Sequence, residues 1–241
     1  MLEPAMSDDD RPSGYVLTRR EALALLGTGG LAMIGPRRSA LAAGSTCVVR
    51  PALTEGPYFV DEKLDRSDIR PGADGTATPG AALRLSLRLS KLAAGACAPL
   101  PGAVVDLWHC DALGVYSDVS GGGRAGAGKF LRGYQTTDAE GLTRFTTIYP
   151  GWYPGRAVHI HFKIRSAAAG GRVHDFTSQL FFDDAFTERV HAQAPYAAHG
   201  QGRVKNARDG IYRSAGPQLM LAVTPEGAGY AAAFDLALEI G

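Results

Sequence analysis

The sequence predicts an all-β protein, a β-sandwich of two packed sheets with long loops, on three observations. Leu83, Leu85, Leu87 and Leu89 alternate with Arg84, Ser86, Arg88 and Ser90, the period of two that gives a strand one buried and one wet face. The alternation returns near the other end, where Phe234, Leu236, Leu238 and Ile240 are interleaved with Asp235, Ala237 and Glu239. Glycine supplies 31 and proline 14 of the 241 residues. They gather as turn signals between apolar runs, at Asp138–Gly141, Pro150–Gly151, Gly170–Gly171 and Pro225–Gly227, which is the punctuation of many short strands.

Between those two strands the apolar runs follow in order. Ala103–His109 is rich in Val and Leu, and Thr143–Tyr149 in β-branched and aromatic residues, the types that fit a pleated, half-buried surface. Val158–Ile164 alternates again, and Val173–Phe182 and Gln218–Thr224 are apolar runs read as strands. Only Asp184–His199 has room for a helix of note, and Pro195 interrupts it. The Gly121–Gly128 stretch reads as a flexible loop; it does not lead from a strand into a helix, so a phosphate cradle is a poor reading of it.

Positions 1–42 are set apart from this pattern. Arg19-Arg20 precede an apolar stretch, Ala22–Ile34, and the small residues Ser39–Ala43 follow. This is the layout of a bacterial export signal cleaved after Ala42, the paired arginines pointing to the twin-arginine translocase as a transient partner. The apolar stretch is shorter than the ~20 residues of a membrane anchor. The expected mature domain is therefore 43–241, secreted or extracytoplasmic. The whole chain carries 25 basic and 24 acidic side chains, and the leader removes five of each. Such balance gives no basic excess for nucleic acid. Oligomeric state is left open.

Export makes a disulfide possible among Cys47, Cys97 and Cys110. A straight strand over Ala103–His109 spans roughly 23 Å, beyond the ~7 Å that bridged Cα atoms tolerate, so Cys97–Cys110 is the least favoured pair. Cys47 with either partner, or no bridge at all, stays open.

Chemistry concentrates in Tyr149-Pro-Gly-Trp-Tyr153-Pro-Gly-Arg156-Ala-Val-His159-Ile-His161-Phe162. On a strand His159 and His161 project to one side, with Val158, Ile160, Phe162 and Ile164 facing a core. Two imidazoles on one face make a pair of metal ligands, although two satisfied structural histidines would look the same. The following Lys163-Ile164-Arg165 supplies no carboxylate, as cupins, zinc hydrolases and ferrous two-His-one-carboxylate sites require. The nearby donors are Tyr153 and Tyr116. Phenolate is a hard anionic ligand suited to Fe(III), whose charge must lower its reference pKa of ~10.

The sequence resembles the intradiol ring-cleavage dioxygenases, of the protocatechuate 3,4-dioxygenase-like kind. The matching pieces are Leu53–Phe59, Pro101–Tyr116, Phe130–Gly133, Thr137–Gly141 and Thr147–His161, continued by Gln179–Phe182. The resemblance places a non-haem Fe(III) on Tyr116, Tyr153, His159 and His161, and a catalytic arginine at Arg156. It implies that a catechol binds the iron through both oxygens while Tyr153 gives up its place. Dioxygen then attacks the ring, which opens between the two hydroxylated carbons to a muconate-type diacid. Gln179 matches a glutamine near the family's iron and stands equally as a strand-packing residue. Tyr58 and Leu53 are expected in the pocket wall, Trp108 in the core, and His109 in a structural role without a partner in the motif.

The sequence departs from well-known relatives in having no helical N-terminal dimerisation region and a shorter stretch between Tyr153 and Arg156. Export is also unusual for aromatic catabolism. Two other readings stand beside the enzyme: a secreted β-sandwich binding module with a decayed metal site, and a zinc- or copper-binding hydrolase or oxidase built on His159 and His161.

Overall fold

Alternation along the first long strand is realised as the sequence requires. In a computed structural model, which describes residues 47–119, 125–126, 128–167 and 173–240, Leu83, Leu85, Leu87 and Leu89 are fully buried on β1 (Ala82–Ala93) while Arg84 reaches solvent. The other strands are β2 (Ala96–Pro99), β3 (Val104–Trp108), β4 (Tyr116–Ser117), β5 (Ala125–Gly126), β6 (Arg132–Thr136), β7 (Leu142–Ile148), β8 (His159–Ala167), β9 (Val173–Phe181), β10 (Val223–Glu226) and β11 (Gly229–Glu239). The leader read at 1–42 and the glycine run Gly121–Gly123 lie outside the described residues.

Two sheets form. In the first, the order is β10-β11-β1-β2, with β7 also paired to β1; in the second it is β6-β3-β8-β9. β1 and β11 run parallel, Leu83 opposite Tyr230 through Leu92 opposite Glu239. The core lies between the sheets, where the β1 leucines, Phe145, Phe234 and Leu236 join Val105, Leu107, Ile160, Phe162, Ile164 and Leu180 in one cluster. This is the all-β sandwich that the periodicity predicts.

β1 and β2 meet in a tight hairpin whose two central residues, Ala94 and Gly95, have φ of 49° and 77°. Two positive φ values in succession are what a two-residue hairpin matched to strand twist demands. The hairpin carries Cys97 to Cys47, and the two are bridged with Cα atoms 5.7 Å apart. Of the pairings left open, this one forms; Cys110 remains a buried free thiol.

Two expectations need correction. Gln218–Thr224 is not one strand. Gln218 and Leu219 belong to a 3-10 turn, Gly216–Leu219. The chain then joins β9, with Leu221 N–H donating to Phe181 O at 2.8 Å, before crossing to the first sheet as β10. An apolar run that changes sheets has no single register. The helix reading is also incomplete. α1 spans Asp184–His191, and a second helix, α2 (Gly210–Ala215), forms where none was read, because the Asp209 carboxylate accepts from the Ile211 and Tyr212 amides and caps it.

Residues 47–50 run along β11 of the first sheet, and the arm that follows, residues 51–62, is stitched over the second sheet. Leu53 N–H donates to Thr177 O (2.9 Å), Lys163 Nζ meets Glu55 at 2.7 Å, and Arg165 bridges Asp61 and Asp106. The arm lays Gly56, Pro57 and Tyr58 over the face opposite the core.

Candidate metal centre

A single cross-strand row forms the floor of the site. Arg132 on β6 lies opposite Trp108 on β3, Trp108 opposite His161 on β8, and His161 opposite Gln179 on β9. Opposed residues share a face, and Ile160, Phe162 and Ile164 take the other face into the core. The row therefore points outward, under the arm, and His159 joins it two residues along β8. All five side chains are buried, at 3% exposure or less.

The tyrosines arrive on two loops held against one another. Asp111 Oδ1 accepts from Leu113 N–H and Val115 N–H, 2.8 Å each, and turns the chain toward Tyr116. Gly151 N–H then donates to Asp111 O at 3.1 Å. A Cβ on Gly151 would stand 2.3 Å from Asp111 O, and one on Gly114 2.2 Å from Trp152 O. Only bare backbone permits this approach, which sets Tyr116 and Tyr153 edge to face with ring centres 5.5 Å apart.

Three of the four candidate donors meet at His159 Nε2, and the Tyr116 ring stands beside them, 5.5 Å from Tyr153 and 6.4 Å from His161 between ring centres. His159 Nε2 is 2.9 Å from His161 Nε2 and 3.2 Å from the Tyr153 hydroxyl. His159 Nδ1 lies 2.7 Å from Ala157 O, so it carries the ring proton and turns the Nε2 lone pair inward. The Tyr116 hydroxyl and His161 Nδ1 are buried without a hydrogen-bond partner. Tyr58 stacks on Tyr116 at 4.4 Å and meets Tyr153 edge-on at 5.6 Å, and Trp108 stacks on His161 at 5.0 Å.

Arg156 reaches in from one side. Its Nε donates to Asp209 Oδ2 at 2.9 Å and its Nη2 to Gln179 Oε1 at 2.5 Å, leaving Nη1 3.4 Å from His159 Nε2. Gln179 is itself fixed, donating to Thr54 O at 2.9 Å.

Burial, with the Arg156 charge second, pushes the His159 imidazole down to about 3, and burial beside His159 takes His161 in the same direction. Burial pushes both phenols up, with Tyr153 adding to the effect at Tyr116, and the Arg156 charge partly offsets the rise at each. The pocket thus holds two neutral imidazoles ready to coordinate, and two phenols that a strong positive charge must deprotonate. Two imidazole nitrogens 2.9 Å apart and a buried phenol without a hydrogen-bond partner are a set of lone-pair donors that a cation among them would engage together. No cluster of three His, Cys, Asp or Glu side chains occurs among the described residues, so an ion here needs the tyrosines. That donor set suits a hard trivalent ion.

All of Tyr116, Tyr153, Arg156, His159, His161 and Gln179 meet in this one place. Trp108, expected in the core, is buried but stacks on His161 as part of the site. Leu53, expected in the wall, packs on the main core instead, while Tyr58 does line the site. His109 is structural and does have a partner, Thr147 Oγ1 at 2.6 Å from Nε2. Asp209 escaped the sequence reading, and Thr54 and Arg132, which lie within the matching pieces Leu53–Phe59 and Phe130–Gly133, carry no role in it. Asp209 had one local signal, an Asp before Gly-Ile-Tyr in the manner of a helix cap. Arg132 donates to Ser117 O (2.5 Å) and Tyr58 O (3.4 Å), tying together the segments that carry Tyr116 and Tyr58. A larger concavity, about 720 Å³ on the outer face of the first sheet around Arg84, Arg144 and Glu226, holds none of these groups.

Comparison with known proteins agrees with this geometry. A family model described as dioxygenase matches residues 54–208. An intradiol ring-cleavage dioxygenase from Tetranychus urticae is 31% identical, covering 80% of this chain and 95% of that one, with a TM-score of 0.68. The dioxygenase domain of a dioxygenase carbohydrate-binding protein fusion from Streptomyces sp. SirexAA-E is 32% identical over 80% and 99% of the two chains (TM-score 0.58). The fold is shared with 3-chlorocatechol 1,2-dioxygenase from Rhodococcus opacus 1CP, at 20% identity over 81% and 75% (TM-score 0.57). No curated protein gives a match. A β-sandwich with this outward row of donors is thus a dioxygenase scaffold. More narrowly, the chain belongs to the intradiol ring-cleavage dioxygenase family, whose members are generally dependent on Fe(III).

Proposed function

We propose that this chain is a Fe(III)-dependent intradiol dioxygenase. It opens catechol-type rings between the two hydroxylated carbons, adding both atoms of O2 to give a muconate-type diacid. Tyr116, Tyr153, His159 and His161 would hold the ion. The observation that carries the reading is the convergence on His159 Nε2, which lies 2.9 Å from His161 Nε2, 3.2 Å from the Tyr153 hydroxyl and 3.4 Å from Arg156 Nη1. Bound ferric iron supplies the Lewis acidity and the electron acceptance that make a catecholate reactive toward dioxygen.

The chain's own residues do the rest. Tyr153, as phenolate, is the base best placed to take a proton from an incoming catechol hydroxyl, since its oxygen faces the same point as both histidines. Asp209 and Gln179 hold Arg156 by Nε and Nη2, which leaves Nη1 facing the donor cluster, 3.4 Å from His159 Nε2. A planar, always-charged donor at that spot stabilises negative charge developing on substrate oxygen. The stacked Tyr58, Tyr116 and Trp108 rings shut out water and strengthen that interaction.

Residues 1–42 act, on this reading, as a twin-arginine leader, so that the enzyme works outside the cytoplasm. The Cys47–Cys97 bridge supports it, since disulfides persist in oxidising compartments. Replacing Arg19 and Arg20 with Lys should leave the protein inside the cell; undiminished export would remove the twin-arginine reading.

The visible absorption spectrum of the purified protein, with and without anaerobic catechol, tests the enzyme reading. Tyrosinate on ferric iron gives a charge-transfer band that catechol shifts. A colourless protein replete with zinc or copper would overturn it.

A further inference from the structure

We infer that Arg132 is a positioning residue of the candidate centre: its buried guanidinium clamps the strand that carries Tyr116 to the arm that carries Tyr58, so that an oxygen donor and the ring stacked on it are held as one unit. The inference rests on the ring-cleaving reading above and extends it to a residue outside the donor set.

Arg132 ends the outward row, opposite Trp108, and is 3% exposed. Its Nε donates to Ser117 Oγ at 2.9 Å and its Nη2 to Ser117 O at 2.5 Å, while Nη1 and Nη2 both reach Tyr58 O at 3.4 Å. Ser117 Oγ in turn donates to Phe130 O at 2.7 Å, so the hydroxyl is fixed from both sides. Ser117 follows Tyr116 in β4, and the Tyr58 ring lies stacked on the Tyr116 ring. The two segments thus meet twice, through their rings and through one guanidinium. A planar fork of donors can serve two segments in this way; a single ammonium cannot.

Two costs at this point favour a role beyond packing. First, every acceptor of Arg132 is neutral, and it forms no ion pair among the described residues. Burial pushes its guanidinium down, and Asp118 and Glu62 only partly offset this. Asp118 is taken up by the Gly128 and Lys129 amides, and Glu62 by Lys129 Nζ. A buried charge without a paired charge is expensive. Second, the backbone that delivers it is strained. Fully buried Leu131 has a φ of 52° and Lys129 one of 56°, left-handed values that side chains resist. An apolar side chain on relaxed backbone would fill the space at less cost, but it would not hold Tyr116. The Tyr153 loop has its own tether, the Gly151–Asp111 backbone contact, so loss of Arg132 should loosen one tyrosine and spare the other.

The test compares the mature protein with its Arg132→Gln and Arg132→Lys variants. In the iron-free state, chymotrypsin cleavage after Tyr58 and after Tyr116 should rise together by about tenfold in both variants. Cleavage after Phe145 and Phe234, in the core between the sheets, should not change. The Kd for ferric ion, measured by competition with nitrilotriacetate, should weaken about tenfold in both. Cleavage that rises equally at all four sites marks a plain loss of stability and overturns the inference. Full recovery in Arg132→Lys also overturns it, since charge without the fork would then suffice, and so do cleavage rates and Kd values within twofold of wild type. Those outcomes leave the ring-cleaving reading intact. A wild-type protein that binds no ferric ion overturns both.

Discussion

One oxygen of Asp209 grips two groups at once: Oδ2 accepts from Arg156 Nε at 2.9 Å and from Ala157 N–H at 2.7 Å. The other oxygen caps α2 through Ile211 and Tyr212. Although burial raises the carboxyl, these donors outweigh it and hold Asp209 below its ordinary value. Asp209→Asn would turn an amide NH2 toward two donors. We expect a loss of about 2–4 kcal/mol in urea unfolding and a fall of about 10–100-fold in kcat with a smaller change in KM. Wild-type kcat in this variant would mean that Arg156 needs no anchor.

Tyr116→Phe separates metal binding from stability. The hydroxyl removed has no partner in the protein, and an unsatisfied buried polar group costs about 1–3 kcal/mol. The iron-free variant should therefore melt at or above the wild-type temperature, while bound iron, visible colour and turnover are lost. A large drop in the iron-free melting temperature would show that the hydroxyl supports the fold.

Acid sensitivity should trace partly to His109. Burial pushes its imidazole down to about 4 from a reference of 6.5. The unfolded chain takes up a proton between those values that the folded chain refuses. Stability is thus full above about pH 6.5 and is lost as pH falls toward 4, by about 3 kcal/mol for this group. His159 and His161 shift the same way, so the diagnostic quantity is a difference. Unfolding free energies at pH 7 and 4.5 should lie about 2–3 kcal/mol closer together in His109→Gln than in wild type; an unchanged gap refutes the assignment.

Reduction should weaken the fold without opening the site. The Cys47–Cys97 bridge closes a loop of sequence separation 50, for which chain-entropy arguments give about 4 kcal/mol as an upper figure. Cys110 is buried and its thiol is pushed up by burial, so it should resist alkylation until the protein unfolds. Thiol labelling along a urea titration, with and without reductant, checks both points.

The strands and most of the donor set were legible because they depend on local periodicity and on one dense segment. Leu83–Leu89 and His159–Ile164 declare their faces by alternation alone. Asp209 was not legible. Its partners Arg156 and Ala157 are distant in sequence, and nothing local says where a capping carboxylate aims its second oxygen. Trp108 was legible as a buried residue but not as a neighbour of the site. Its neighbours on β3 are core residues, and only the register against β8 reveals that it faces His161. Gln218–Thr224 failed because one apolar run serves two sheets.

The parallel pairing of β1 with β11 bears on how the protein is made. Leu83 and Tyr230 are register partners, so everything between them in the chain must leave the ribosome before the longest neighbour of β1 exists. At translation rates of about 5–20 residues per second, a leucine-lined strand waits for roughly 7–30 s. During that interval its free edge invites pairing with other nascent chains. Expression at lower temperature or with more chaperone should raise soluble yield for this reason, independent of any effect on the finished fold.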